Sequence, residues 1–276
     1  MILQIITYII LKLIYKNNNK GMKNPIKLSI SILAILFTLN ATAQSSEKLI
    51  EKVKLMDTIT SINNKLNIDM LETGMHKYLV YMEKSDGSLA NISLWERYVM
   101  VKDDRIIISQ QWKNENELKT RHVYSISDIN LQPIYHYSKW GESIDAFDFN
   151  ENEVIGSDSI INNRKKDFIQ IYNIKPLNWE LDLEVLQTLN YELNKTFVLN
   201  FYHPGSGLPS KFYNYEVVGI EDIKLPGNIK KSCWKVKIDY DIDDKAYFYV
   251  DTETNSVLKV VQYYKDFKRY KMKLEI

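Results

Sequence analysis

Lys231–Asp241, KSCWKVKIDYD, alternates without a break: Trp234, Val236, Ile238 and Tyr240 fall on one side, and Cys233, Lys235, Lys237 and Asp239 on the other. Side chains of a strand point to opposite faces with a period of two, so this stretch reads as a β-strand with one face against a core. Trp234 opens that buried face, and the strand is expected to be central. The runs around it follow the same grammar. Residues 195–203, 211–221, 245–251, 256–263 and 266–275 are short and rich in Tyr, Phe, Val and Ile, and turn residues separate them. Upstream lie eight more such runs, 77–83, 93–101, 104–113, 119–126, 131–140, 143–149, 152–157 and 167–173. Asp86-Gly87, Asp103-Asp104 and Gly141 punctuate them. The short connections specify consecutive antiparallel strands, because parallel neighbours need long crossovers. With 19 Tyr and 9 Phe, the composition suits pleated, half-buried surfaces.

Two segments break the period. Ser46 can cap a helix in which Leu49, Val53, Met56, Ile59, Ile62 and Leu66 recur at helical spacing. Asn178 is placed to cap a second, about 179–190, with Trp179, Leu183 and Leu186 on one side. No composition shift, Pro/Ser linker or internal repeat divides the two runs of strands, so a single continuous sheet with attached helices is expected.

Met22–Gln44 reads as a secretory signal peptide. Lys23 and Lys27 supply the positive start, Leu28–Leu39 the apolar stretch, and Ala41-Thr42-Ala43 the small-residue cleavage site before Gln44. Residues 1–21 consist almost entirely of Ile, Leu, Lys, Asn and Tyr, and are expected to be an upstream extension of the true start at Met22. The expected organisation is therefore an extension over 1–21, a signal peptide over 22–43 and one β domain over 44–276. Removing residues 1–43 takes away five lysines and no acid, so the whole-chain charge of +1 becomes −4. A weakly acidic chain lacks the basic footprint that nucleic-acid binding needs. Neither apolar stretch reaches the roughly 20 residues of a spanning helix, so no stable transmembrane span is expected in the mature protein. The only cysteine, Cys233, is far from the cleavage site. It allows no intramolecular disulfide and no acylated N-terminal cysteine, and on a strand it reads as a packing residue. A soluble periplasmic protein that is not a lipoprotein is the expectation.

Three stretches carry a resemblance: Thr196–Tyr215 (TFVLNFYHPGSGLPSKFYNY), Ser232–Asp241 (SCWKVKIDYD) and Lys245–Gln262 (KAYFYVDTETNSVLKVVQ). Together they resemble an exported family of unknown function related to half-barrel proteins of the lipoprotein-carrier (LolA/LolB) type. The resemblance is firmest over 195–263, and its motifs are structural. It implies a mainly β fold with a few helices: a strongly curved antiparallel sheet, or half-barrel, with helices on the concave side. In the carriers that hollow holds acyl chains.

No chemistry-bearing constellation completes itself. Asp239, Asp241 and Asp243 have the D-x-D-x-D opening of a calcium loop, but Val250 stands where a bidentate glutamate is required, so they read as a hairpin turn. His203-Pro204-Gly205-Ser206-Gly207 matches neither a phosphate loop nor a nucleophile elbow. His76, His122, His136 and His203 are scattered, with no pair at metal-ligand spacing. Lys265, Arg269, Lys271 and Lys273 share one face of the last strand. They read as charges guarding a sheet edge, with anionic head groups the alternative. No catalytic residue, cofactor or metal is therefore expected. The functional expectation is an exported, non-enzymatic envelope protein whose partner is an apolar or lipid-like ligand, or another envelope protein. Its groove would be lined by Leu49, Val53, Met56, Trp234, Val236, Ile238 and Tyr240. The alternatives are a structural or interaction role with the hollow filled, and a hydrolase whose triad assembles from distant positions.

Overall fold

The computed structural model describes residues 56–274, apart from 62, 64 and 115–119. The extension, the signal peptide and its cleavage site, and Leu49, Val53 and Ile62 lie outside the described residues. The chain from 74 to 171 forms a meander of eight strands: β2 (Gly74–Lys84), β3 (Leu89–Lys102), β4 (Arg105–Lys113), β5 (Arg121–Asp128), β6 (Pro133–Trp140), β7 (Ser143–Phe149), β8 (Glu153–Gly156) and β9 (Ile169–Ile171). A second meander follows, of β11 (Thr196–Tyr202), β12 (Lys211–Lys224), β13 (Lys230–Asp241), β14 (Asp244–Asp251), β15 (Val257–Tyr264) and β16 (Phe267–Lys273). The last strand of the second meander pairs antiparallel with the first of the other, Lys271 facing Val80 and Lys273 facing Tyr78. One sheet results, and β11 and β9 stand far apart in its strand order. The fold is mainly β, the sheet is not closed into a barrel, and Leu55–Ile276 forms one compact unit.

Two short strands extend β11 in tandem, both parallel to it: β1 (Met56–Ile59) beside Thr196–Leu199, and β10 (Leu177–Asn178) beside Phe201–Tyr202. The helix expected through Leu66 is thus corrected from Met56 onward. Met56–Ile59 is extended, because Thr58 and the buried Ile59 suit a ladder, and Asp57 is tied there by Lys195 at 2.8 Å and Lys65 at 2.6 Å. Leu66 still packs against the core, and a 3-10 turn over Ile68–Met70 follows.

The second expected helix forms, though shorter. A 3-10 turn over Trp179–Leu181 runs into α1 (Asp182–Gln187), and Asn178 caps the turn by accepting the Glu180 N–H at 3.0 Å. All six residues of α1 are buried. Leu183, Val185 and Leu186 belong to one core with Tyr78, Trp95 and Ile108 of the first meander and Phe197, Tyr215, Val236 and Phe248 of the second. The face of the sheet that meets this core is called the inner face below. On it, Val236 and Ile238 are sealed as the alternation of β13 predicts, whereas Trp234 and Tyr240 are half-buried at its flanks. Cys233 is buried on the other face among Ile223, Leu225, Tyr249, Leu258 and Val261, and burial pushes its thiol up to about 12.

Candidate functional site

β16 overturns one expectation from sequence. It is no edge strand, since it is bonded to both β15 and β2, so Arg269, Lys271 and Lys273 do not guard an edge. Directly opposed residues of a ladder share a face. Lys271 stands between Val260 and Val80, Arg269 between Gln262 and Met82, and Lys273 beside Tyr78. The basic residues therefore occupy the inner face, while Tyr270 and Met272 pack on the outside with Tyr249 and Val261. The strand is inverted relative to the usual rule of apolar side in.

Acidic residues meet most of this inner charge. Arg97 of β3, buried, pairs with Glu184 of α1 through Nε at 3.0 Å and through Nη2, and its Nη1 reaches Gln110 at 3.0 Å. Gln110 also accepts from the Trp95 indole at 3.1 Å. Burial disfavours the Arg97 charge, but the Glu184 carboxylate outweighs it and holds the guanidinium above its ordinary value. Arg121 pairs with Glu180 at 2.6 Å. Burial pushes the Glu180 carboxyl upward, and Arg121, with His136 and Arg97, more than reverses this. Lys273 pairs with Glu72 at 2.9 Å and donates to the Ser256 hydroxyl. Arg269 and Lys271 differ. Each lies over an indole, Arg269 over Trp112 at 5.5 Å and Lys271 over Trp95 at 4.7 Å, and the two indoles stack at 4.3 Å. Burial pulls Lys271 down to about 8, helped by Arg269 and Arg97 and opposed by Asp182.

Arg269 opens onto a cleft of about 470 Å³ where β2–β4 meet β14–β16. Val80, Met82, Trp112, Tyr264 and Phe267 give it apolar walls; Ser93, Asp244 and Gln262 are among its polar residues. Gln262 donates to Asp244 at 2.8 Å. The Trp112 Nε1–H is buried with no hydrogen-bond partner. A second cleft, of about 540 Å³, lies beside β5–β7. Both its arginines are occupied, Arg121 by Glu180 and Arg164 by a two-pronged pair with Asp145 at 3.0 and 2.9 Å.

Of the groove residues expected from sequence, the described ones, Met56, Trp234, Val236, Ile238 and Tyr240, do not line the first cleft. Met56 is 41% exposed on β1, at the far end of the strand order from β16's partner β2. Val236 and Ile238 are core. Trp234 stacks on Tyr191 at 6.1 Å, and Tyr240 closes with Tyr213 around Trp179, which also stacks on His203 at 4.3 Å. Sequence reasoning singled out Arg269 and Lys271 but placed them on a sheet edge, and it missed Trp112. The available signal was the pattern of β16 itself, in which alternate Lys and Arg residues face alternate Tyr and Met residues.

The remaining chemistry-bearing groups stay apart. His136 is sealed, its Nδ1 accepting from Ser125 Oγ at 2.9 Å and facing the Asn178 amide at 3.3 Å, and burial takes it down to about 4. Ser125 and His136 resemble a nucleophile and base, but both are buried and neither lines a described cleft. Among the described residues no three His, Cys, Asp or Glu side chains are grouped to hold a metal, and Asp239–Asp244 is the hairpin end between β13 and β14. No helix among them is long and apolar enough to cross a membrane.

Comparison with known proteins adds four findings. No curated protein matches the chain. A candidate exported protein with YmcC-like fold from Bacteroides fragilis is similar at 12% identity, over 74% of this chain and 96% of that one, with a TM-score of 0.33. A protein of unknown function of the DUF3598 family from Nostoc punctiforme is similar at 8% identity, over 77% and 100%, with a TM-score of 0.16. A family model does match, across residues 77–275 and therefore both meanders, and by it the chain belongs to the family described as protein of unknown function, DUF3108.

Proposed function

We propose that this protein is an exported, non-enzymatic binding protein of the cell envelope that holds a ligand with an apolar chain in the cleft between β2–β4 and β14–β16. The observation that carries the reading is the cleft itself: about 470 Å³, walled by Val80, Met82, Trp112, Tyr264 and Phe267. Sites for small ligands are concave, roughly 300–1,000 Å³, and mostly apolar with a few placed polar groups. The half-barrel with its helix in the hollow, and the likeness to lipoprotein carriers, belong to the same proposal. Support for the curvature comes from α1, whose six residues are buried among strands of both meanders. Export rests on the Met22–Gln44 pattern, and the periplasm is the compartment it implies.

A structural role with the hollow filled is the second reading, favoured by the packing of α1 and the side chains around it. Titration of the purified protein with fatty acids, followed by tryptophan fluorescence, separates the two. Binding at micromolar affinity or tighter, about −8 kcal/mol, is expected. Absence of binding up to millimolar ligand overturns the binding role in favour of the structural one.

A further inference from the structure

We propose that the ligand of this cleft is an anionic amphiphile, an oxyanion on an apolar chain, and that Arg269 binds the oxyanion. The inference rests on the binding role proposed above and names its ligand class. Its basis is an imbalance on the inner face. Arg97, Arg121 and Lys273 each have a carboxylate partner. Arg269 and Lys271, neighbours on that face of β16, have neither an ion pair nor a hydrogen bond among the described residues, only the faces of Trp112 and Trp95. The acid that acts most strongly on both is Asp182. Its carboxylate accepts the Leu183 N–H at 2.9 Å and forms no ion pair with either cation.

A half-buried guanidinium with five N–H donors and no acceptor bears a desolvation cost that packing on an indole offsets only in part. An entering carboxylate or phosphate removes that cost, because the guanidinium fork matches two oxygens at once. Trp112, which lies beneath Arg269 and lines the cleft, leaves its buried Nε1–H without a partner. Lys271, deeper on the same strand face, adds positive charge behind it. Toward the hairpin ends the register brings Phe267, Tyr264 and Asp244 into line. Phe267 and Tyr264 offer surface to a chain, and Gln262 donates to Asp244 beside them.

The test is calorimetric titration of the full chain with dodecanoate, dodecyl phosphate, dodecanol, acetate and inorganic phosphate. Dodecanoate or dodecyl phosphate is expected to bind at least tenfold tighter than dodecanol, and whichever binds better identifies the oxyanion. Arg269→Gln should reduce that ratio at least tenfold, and Arg269→Lys should restore part of it, which loss of packing on Trp112 alone would not do. If a variant does not fold, the wild-type ratio decides. Equal binding of dodecanol and dodecanoate overturns the anionic inference and leaves the cleft as an apolar site. Inorganic phosphate binding as tightly as dodecyl phosphate overturns the amphiphile in favour of a free anion. Binding of none of the five overturns this inference and the binding role together.

Discussion

Lys271 is placed where burial opposes its charge. It faces Val260 and Val80 across the ladder with its ammonium over the Trp95 indole, and burial brings its pKa down to about 8 from 10.5. The unfolded chain therefore holds this proton more tightly than the folded one. Stability is lowest below about 8, where both states are charged, and rises with pH up to about 10.5 as the folded state releases its proton first. Each tenfold difference in proton affinity corresponds to about 1.4 kcal/mol. Lys271→Met should accordingly raise the urea midpoint at pH 7 and flatten the rise of stability between pH 8 and 10.5. A lower midpoint would show that the charge is a net stabiliser. His136 works over a different window. Burial holds it neutral to about 4, so the unfolded state takes up the proton first, and stability should fall as pH drops from 6.5 toward 4. His136→Gln should reduce that slope, leaving the part due to His76 and His203, which burial also holds below their ordinary values, measured as urea midpoints across the window.

At the scale of elements, β13 divides unequally. Val236 is sealed in the main core, whereas Trp234 is half-buried against Tyr191. A buried Trp→Ala change typically costs about 3–5 kcal/mol; at this half-open position Trp234→Ala should cost clearly less, on the order of 1–2 kcal/mol. Equilibrium urea unfolding measures it, and a loss above 3 kcal/mol would place the indole deeper than its exposure indicates. β8 offers a sharper case. A Cβ on Gly156 would lie 1.8 Å from the Lys165 carbonyl oxygen, which is backbone and cannot swing aside. Gly156→Ala should therefore detach the 165–168 segment from β8, read as lost protection of the Gly156 amide, which donates to Phe168 O at 2.8 Å.

The strands of both meanders were legible in sequence because each obeys a local rule, a period of two ended by Gly, Asp or Asn. The Asn178 cap was legible for the same reason. What escaped depends on partners far along the chain. β1 is too short to declare itself, and Met56–Ile59 is extended because β11, well over a hundred residues later, offers it a parallel edge. The face of β16 was misjudged because charge was taken to mean solvent. Its neighbours were the first strand of the other meander and the acids of α1, and neither can be known from β16 alone. Sequences depart from local rules mainly at functional or strained places, and this departure coincides with the cleft.

The whole molecule depends on that same junction. β16 and β2 are the last and first strands of the two meanders, joined by seven ladder pairs from Phe267–Lys84 to Lys273–Tyr78. Below the junction, α1 draws on side chains from both sides, with Glu184 bound to Arg97 of the first meander and Leu186 in the core with Phe197 of the second. Neither meander buries its inner face without the other. Cooperative loss of structure should follow, since a domain with one shared core unfolds as a unit. Trp95 and Trp112 lie in the first meander and Trp234 in the second, so tryptophan emission samples both while far-UV circular dichroism samples the entire sheet. In urea the two signals should give one coincident transition. Replacing Lys271 by proline, which removes a backbone donor from the strand that joins the two meanders, should shift both midpoints down together rather than separate them. Two transitions, with emission and dichroism out of step, would mean that the meanders are independent units and that the cleft between them is a domain interface.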